Sequence, residues 1–237
     1  HQEAIESYKQ VIRINPDLES AHFKLGLSYA QLGRIDEGKD AFKTVIQLNP
    51  DAAPAYFNIG IAYTKLGRYQ EAIKAHQEVL RINPGFAPAY HNLGVAYGKL
   101  GNSGSEINSY KEAIRIDPDF APAHGAIAMA WIWLEDYGGI ASQEAFDQAE
   151  PPARRALELE PESVSPRLVL AAAVLAFEGD AGRDRAQALL DEAQRQAERW
   201  GAWQGTGPHA EELLRMNPHD ASRLREALSA LEPGAKN

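Results

Sequence analysis

Along residues 53–86, APAYFNIGIAYTKLGRYQEAIKAHQEVLRINPGF, apolar side chains recur at helical spacing in two bursts. Tyr56, Ile59, Gly60 and Tyr63 form one stripe, and Ala72, His76, Val79 and Leu80 form the other, three and four residues apart as one face of a helix requires. Gly67 between them marks a turn. Each burst predicts a helix of about three to four turns, too short to persist alone in water. The two must bury their stripes against each other and against neighbours, which places Tyr63 between the helices of its own unit.

The same text repeats on both sides. Pro16, Pro50, Pro84 and Pro118 close successive units at intervals of 34 residues, and periods of this size belong to stacked arrays. Pro has no N–H and disfavours helix at the residue before it, so it ends the second helix of each unit. Pro54 and Pro88 return where the first turn of the next helix tolerates them. The third unit departs from its neighbours between the helices, where Gly101-Asn-Ser-Gly-Ser105 predicts a looser turn than Gly67-Arg-Tyr.

Tyr56, Ile59-Gly60, Tyr63, Gly67, Ala72, Val79 and Pro84 resemble the signature of the tetratricopeptide repeat. The unit before carries His22, Leu25-Gly26, Tyr29, Gly33, Phe42, Val45 and Pro50; the unit after carries Tyr90, Leu93-Gly94, Tyr97, Gly101, Tyr110, Ala113 and Pro118. The resemblance implies an all-α, right-handed superhelical solenoid of antiparallel helix pairs, from a bacterial protein. The chain then divides into the second helix of a truncated repeat at 1–18, a regular array at 19–134, divergent repeats with an insertion at 135–200, and a loop with capping helices at 201–237. A chain that opens on half a repeat reads as a fragment, with His1 left by a tag, so any targeting signal is unreadable and a cytoplasmic setting is only the default.

Past residue 120 the pattern loosens. Pro161 follows Pro118 by 43 residues, nine more than the period, and the excess falls around Asp136-Tyr-Gly-Gly-Ile140. The helix expected from about Ser142 carries Pro151-Pro152 inside it, which predicts a kink or a break. A fifth unit from about Val164 turns Leu170, Ala171 and Val174 toward its partner, with a second helix over about 184–200. Residues 201–207 read as a loop, 219–231 as a cap with a polar outer side, and 233–237 as frayed. The run YGGIASQEAF…ARRALELEP resembles repeats in bacterial signalling proteins of the winged-helix activator and adenylate cyclase types.

Composition narrows the chemistry. The 237 residues are 44% apolar and 24% charged, with no Cys, which excludes disulfides, thiol catalysis and Cys-based metal sites. The net charge of −9 is uneven: residues 1–120 hold 13 Lys and Arg against 14 Asp and Glu, and nothing suggests a basic face for nucleic acid. No apolar run approaches a membrane span. The His residues form no ligand pair; His22 and His124 fill the column of Tyr56 and Tyr90, and His76 that of Phe42 and Tyr110, as packing residues do. Glu135, Asp136, Glu144, Asp147, Glu150, Glu158, Glu160 and Glu162 read as a solvated face, and Gly205-Thr-Gly207 as a turn. With no phosphate loop, nucleophile elbow or carboxylate pair, the chain reads as non-catalytic, without cofactor or metal.

The resemblance places the first helix of each unit on the concave side. There Phe23-Lys24, Phe57-Asn58 and His91-Asn92 fall in register, with Leu27, Ile61 and Val95 one turn on and Gln31, Lys65 and Lys99 a turn further. These positions predict a groove that is apolar along its middle with a cationic edge, built from Phe23, Lys24, Leu27, Phe57, Asn58, Ile61, Lys65, His91, Asn92, Val95 and Lys99. Asn58 and Asn92 resemble two rungs of the asparagine ladder in the tetratricopeptide superhelix of O-linked N-acetylglucosamine transferase, where amides bind a peptide backbone; Lys24 and Ala126 interrupt it here. Both amides are expected to project out of the stack. Lys24, Lys65 and Lys99 suggest the carboxylate clamp of chaperone-binding members. The expected function is a scaffold that binds a peptide or protein segment; the alternative is a regulatory module of a larger bacterial signalling protein. Self-association through the open face of residues 1–18 is a further expectation.

Overall fold

The computed structural model describes residues 1–136 and 142–162, together with separate positions between 166 and 195. The described chain is helical and falls into two compact units, His1–Pro118 and Asp119–Asn237. No described helix is long and apolar enough to cross a membrane.

In the first unit, α1 (Gln2–Ile14) precedes three helix pairs: α2 (Glu19–Gln31) with α3 (Ile35–Leu48), α4 (Ala53–Lys65) with α5 (Tyr69–Ile82), and α6 (Ala87–Lys99) with α7 (Ser103–Ile116). Each helix packs on the one before and the one after. α4 and α6, successive first helices, also touch, and no pair of second helices touches to the same extent.

Two local devices set this geometry. At the end of each first helix, Gly33, Gly67 and Gly101 take φ of 73°, 71° and 73°, a left-handed conformation that costs other residues energy. The amide of the residue after each glycine then reaches back: Arg34 N–H donates to Tyr29 O at 2.9 Å, Arg68 to Tyr63 O at 2.8 Å and Asn102 to Tyr97 O at 3.0 Å. Gly33, Gly67 and Gly101 donate to Ala30, Thr64 and Gly98 at 3.1, 3.0 and 2.9 Å, completing the paired closure of a Schellman motif. The third turn is thus built like the other two rather than more loosely. It gains a bond besides, because the Asn102 side chain accepts from Ser105 N at 3.1 Å. Arg34 and Arg68 hold the same place in the other units, each over a tyrosine ring (Tyr29 at 4.6 Å, Tyr63 at 4.8 Å) and paired with Glu37 or Glu71.

Second helices end at Asn15, Asn49, Asn83 and Asp117, with φ between −130° and −141° just before each proline. Within a pair the helices interlock through one large ring and one glycine. A Cβ built on Gly26 would lie 2.7 Å from the Phe42 ring, and one on Gly60 or Gly94 would come closer still to His76 or Tyr110. Only a missing side chain lets the rings lie flat on the opposite backbone. Phe42, His76 and Tyr110 are accordingly 1%, 0% and 3% exposed. Tyr63 is partly buried against the clusters on both sides of it. On α1 the equivalent face is open: Val11 is 38% exposed where Val45 and Val79 are buried.

In the second unit α8 (Ala121–Asp136) packs on α9 (Ser142–Leu159). Ala145, Ala149, Ala153 and Ala156 are all buried on α9, and Ala149 and Ala153 meet Ala128, Ile132 and Leu170. The small side chains let the helices approach closely. α9 does not break at Pro151-Pro152. The prolines withhold two N–H groups from the carbonyls of Asp147 and Gln148, residues exposed to water, which replaces the lost partners. Leu170, Ala171 and Val174 are buried, as their spacing predicts. The inserted residues from 137 on, the 201–207 loop, the 219–231 cap and the 233–237 tail lie outside the described residues.

Candidate functional site

The candidate residues sit on α2, α4 and α6, the first helices of the three pairs in the first unit. Three rings in register form their centre. Phe23 lies 5.5 Å from Phe42, Phe57 5.6 Å from His76 and His91 5.5 Å from Tyr110, all centroid to centroid. Each ring therefore rests on the ring that is seated on the glycine beneath it. The consequence is a half-buried column: Phe23, Phe57 and His91 are neither core nor free on the surface. Leu27, Ile61 and Val95 are half-buried too, and Leu27 and Phe23 pack on the same cluster of Phe42, Val45, Ala55 and Ile59.

Lys24, Lys65 and Lys99 are all exposed. Asn58 and Asn92 are half-buried. Asn58 turns one amide N–H back on its own helix, donating to Pro54 O at 2.7 Å.

A fourth ring belongs with these and escaped the sequence reading. Phe86, the residue before α6, lies 5.2 Å from Phe57 at 80°, so Phe57 is held edge-on between His76 and Phe86. Its signal was present: two residues past each closing proline the chain holds Leu18, Ala52, Phe86 and Phe120, an apolar column of its own.

Burial controls the electrostatics. His76, fully buried, has no hydrogen-bond partner on either ring nitrogen, and desolvation, with His91 nearby, lowers its pKa to about 4. Desolvation lowers His91 to about 4 as well, so both rings are neutral near pH 7. One helix on, Glu106 replaces the buried Gly38 and Ala72 of the other units and fills the space beside Gly98, where a Cβ would meet its carboxylate at 2.5 Å. Desolvation raises Glu106 to about 7, with Lys99 opposing the shift, and raises the Tyr110 phenol. No cluster of metal-ligating side chains occurs among the described residues.

An array of helix pairs with a glycine-seated ring in each defines a helical-repeat protein. Tetratricopeptide repeats match at residues 53–86 and 87–120, and repeats of the same kind at 1–33 and 28–67. The chain is also similar to the crystal structure of MamA at 30% identity and a TM-score of 0.58, over 67% of this chain and 87% of that one. It belongs to the tetratricopeptide-repeat family. A thermophilic repeat protein of Thermus thermophilus is similar at 25% identity and a TM-score of 0.59, over 90% and 98% of the two chains. YrrB, described as a repeat protein with an unusual peptide-binding site, shares the fold at 16% identity and a TM-score of 0.60, over 94% and 99%. No curated protein matches the chain.

Proposed function

We propose that this protein is a non-catalytic interaction scaffold that binds an extended segment of another protein along α2, α4 and α6. The observation that carries the reading is the half-buried column of Phe23, Phe57 and His91. Rings fixed from below by Phe42, His76 and Tyr110 offer apolar area whose ordering cost is already met, which favours binding through preorganisation. Leu27, Ile61 and Val95 extend that surface, and the half-buried amide groups of Asn58 and Asn92 offer the donor and acceptor that a peptide unit needs. The peptide-binding site named for YrrB supports the same use of the fold.

The test is capture of a partner by the intact chain, followed by peptide mapping. Asn58→Ala with Asn92→Ala should weaken the captured interaction by about 1–3 kcal/mol, the cost of leaving buried polar partners unpaired. Phe57→Ala should weaken it through lost apolar contact, and Glu144→Ala should leave it unchanged. Binding that ignores the first two and responds to the third would place recognition in the second unit. That outcome would favour a regulatory module that docks on a domain of its own protein.

A further inference from the structure

The second unit carries a pocket of about 310 Å³, which Arg154, Leu170, Arg185, Ala188 and Leu189 line among the described residues. Leu170 is buried in the core cluster of this unit and Leu189 packs on the same cluster, so the floor is apolar and continuous with the core. Arg154 comes from α9. Arg185, Ala188 and Leu189 stand three and four residues apart, on one face of a helical turn.

Two guanidinium groups meet at this pocket on one carboxylate oxygen. Arg154 donates to Glu150 Oε1 from Nε at 2.9 Å and from Nη2 at 2.6 Å, and Arg185 Nη2 donates to the same oxygen at 3.3 Å. Elsewhere in the unit the ratio is reversed: Arg155 has both Glu158 and Asp119. Residues 121–237 hold 11 Lys and Arg against 19 Asp and Glu, so two arginines gathered on one carboxylate run against the local charge. Arg154 commits two of its N–H-bearing nitrogens to Glu150, and its Nη1 has no partner among the described residues. Both arginine side chains are about half exposed, where ion pairs hold weakly and exchange readily with an incoming anion.

We propose that this pocket binds a small amphipathic carboxylate, one anionic head on a short aliphatic or aromatic body. The body lies on Leu170 and Leu189 and leaves water there. The head accepts from Arg154 and Arg185, in the charge-assisted bonds that guanidinium groups form with carboxylates. A volume at the lower end of ligand pockets keeps the occupant small. Glu150 competes with the head for the same N–H groups and so limits the affinity. The site uses no residue of α2, α4 or α6 and stands independently of the surface proposed there.

The probe is sodium octanoate, titrated into the full chain by isothermal titration calorimetry, with sodium acetate and neutral octanamide for comparison. Acetate lacks the body and octanamide lacks the charge, and each should bind roughly ten-fold or more weaker than octanoate. Arg154→Gln should weaken octanoate roughly ten-fold, the loss of a charged hydrogen-bond partner. Glu150→Gln keeps the shape of the side chain and removes the competing charge, so it should tighten octanoate binding, a gain that a purely structural ion pair would not give. Circular dichroism of each variant should match the parent's, and Arg185→Gln supplies the same reading if Arg154→Gln loses helix. Octanoate that binds no more tightly than octanamide, that ignores both arginine substitutions, or that is weakened by Glu150→Gln in a folded chain would overturn the assignment, as would the absence of binding.

Discussion

His76→Phe should make this protein more stable and less sensitive to acid. His76 is fully buried, neither ring nitrogen has a hydrogen-bond partner, and the register it fills holds Phe42 in the preceding unit. Phe42 already shows that a phenyl ring fits over a glycine there, approaching the Cβ position of Gly26 at 2.7 Å, whereas His76 lies closer still to that of Gly60. Relieving buried unpaired polar groups stabilises by about 1–3 kcal/mol. For a unit of this size that raises Tm by roughly 4 °C per kcal/mol. The pH dependence follows from the folded pKa of about 4 against the ordinary value of 6.5. Between those values the unfolded chain binds the proton and the folded chain does not, so stability falls as pH drops through the window. By pH 5 the His76 contribution has shrunk by about 2 kcal/mol, at 1.36 kcal/mol per pH unit. Urea unfolding followed by circular dichroism at pH 7 and pH 5 reads both effects. The variant should have the higher midpoint at pH 7 and a drop between the two pH values smaller than the parent's by about 2 kcal/mol. A lower midpoint at pH 7, or an undiminished drop, would refute the reasoning.

Other substitutions probe the same joints. Gly94→Leu forces a side chain into the Tyr110 ring and should cost about 1–3 kcal/mol or more, whereas Gly104→Ala, with open space around it inside α7, should stabilise by roughly 0.5–1 kcal/mol; thermal melts distinguish them. Gly67→Ala, strained at φ 71°, should cost about 1–2 kcal/mol by the same measurement. Glu106 works opposite to His76. With a folded pKa of about 7 its stability term is full below the ordinary carboxylate value and is lost as pH rises through 7, so Glu106→Gln should gain about 2–3 kcal/mol over the parent at pH 8 and little at pH 4.5, read by urea midpoints.

The array was legible because period, turn and stop are local properties. Gly67 and Pro84 act through φ and a missing N–H, whatever surrounds them. The Schellman closure at Gly101 shows where local reading fell short: the extra Gly and Ser of that turn suggested slack, but the closure depends on one glycine and the amide after it, and Asn102 adds a cap. At Pro151-Pro152 the helix does not break, and the alanines of α9 on either side of the two missing bonds are buried. The proposed binding layer was only half legible. Spacing put Phe23, Phe57 and His91 on one side of their helices, but their depth is set by Phe42, His76 and Tyr110 on other helices, and Phe86 reaches Phe57 from a connecting segment.

The most direct test of the proposed binding surface is an NMR chemical-shift map of the full chain titrated with the peptide mapped from its captured partner. The largest shifts are expected at Phe23, Leu27, Phe57, Ile61 and Val95, with α3, α5 and α7 changing little on their outer sides. Shifts concentrated on those outer sides, or beyond Pro118, would contradict the assignment of α2, α4 and α6 as the surface this protein uses to hold its partner.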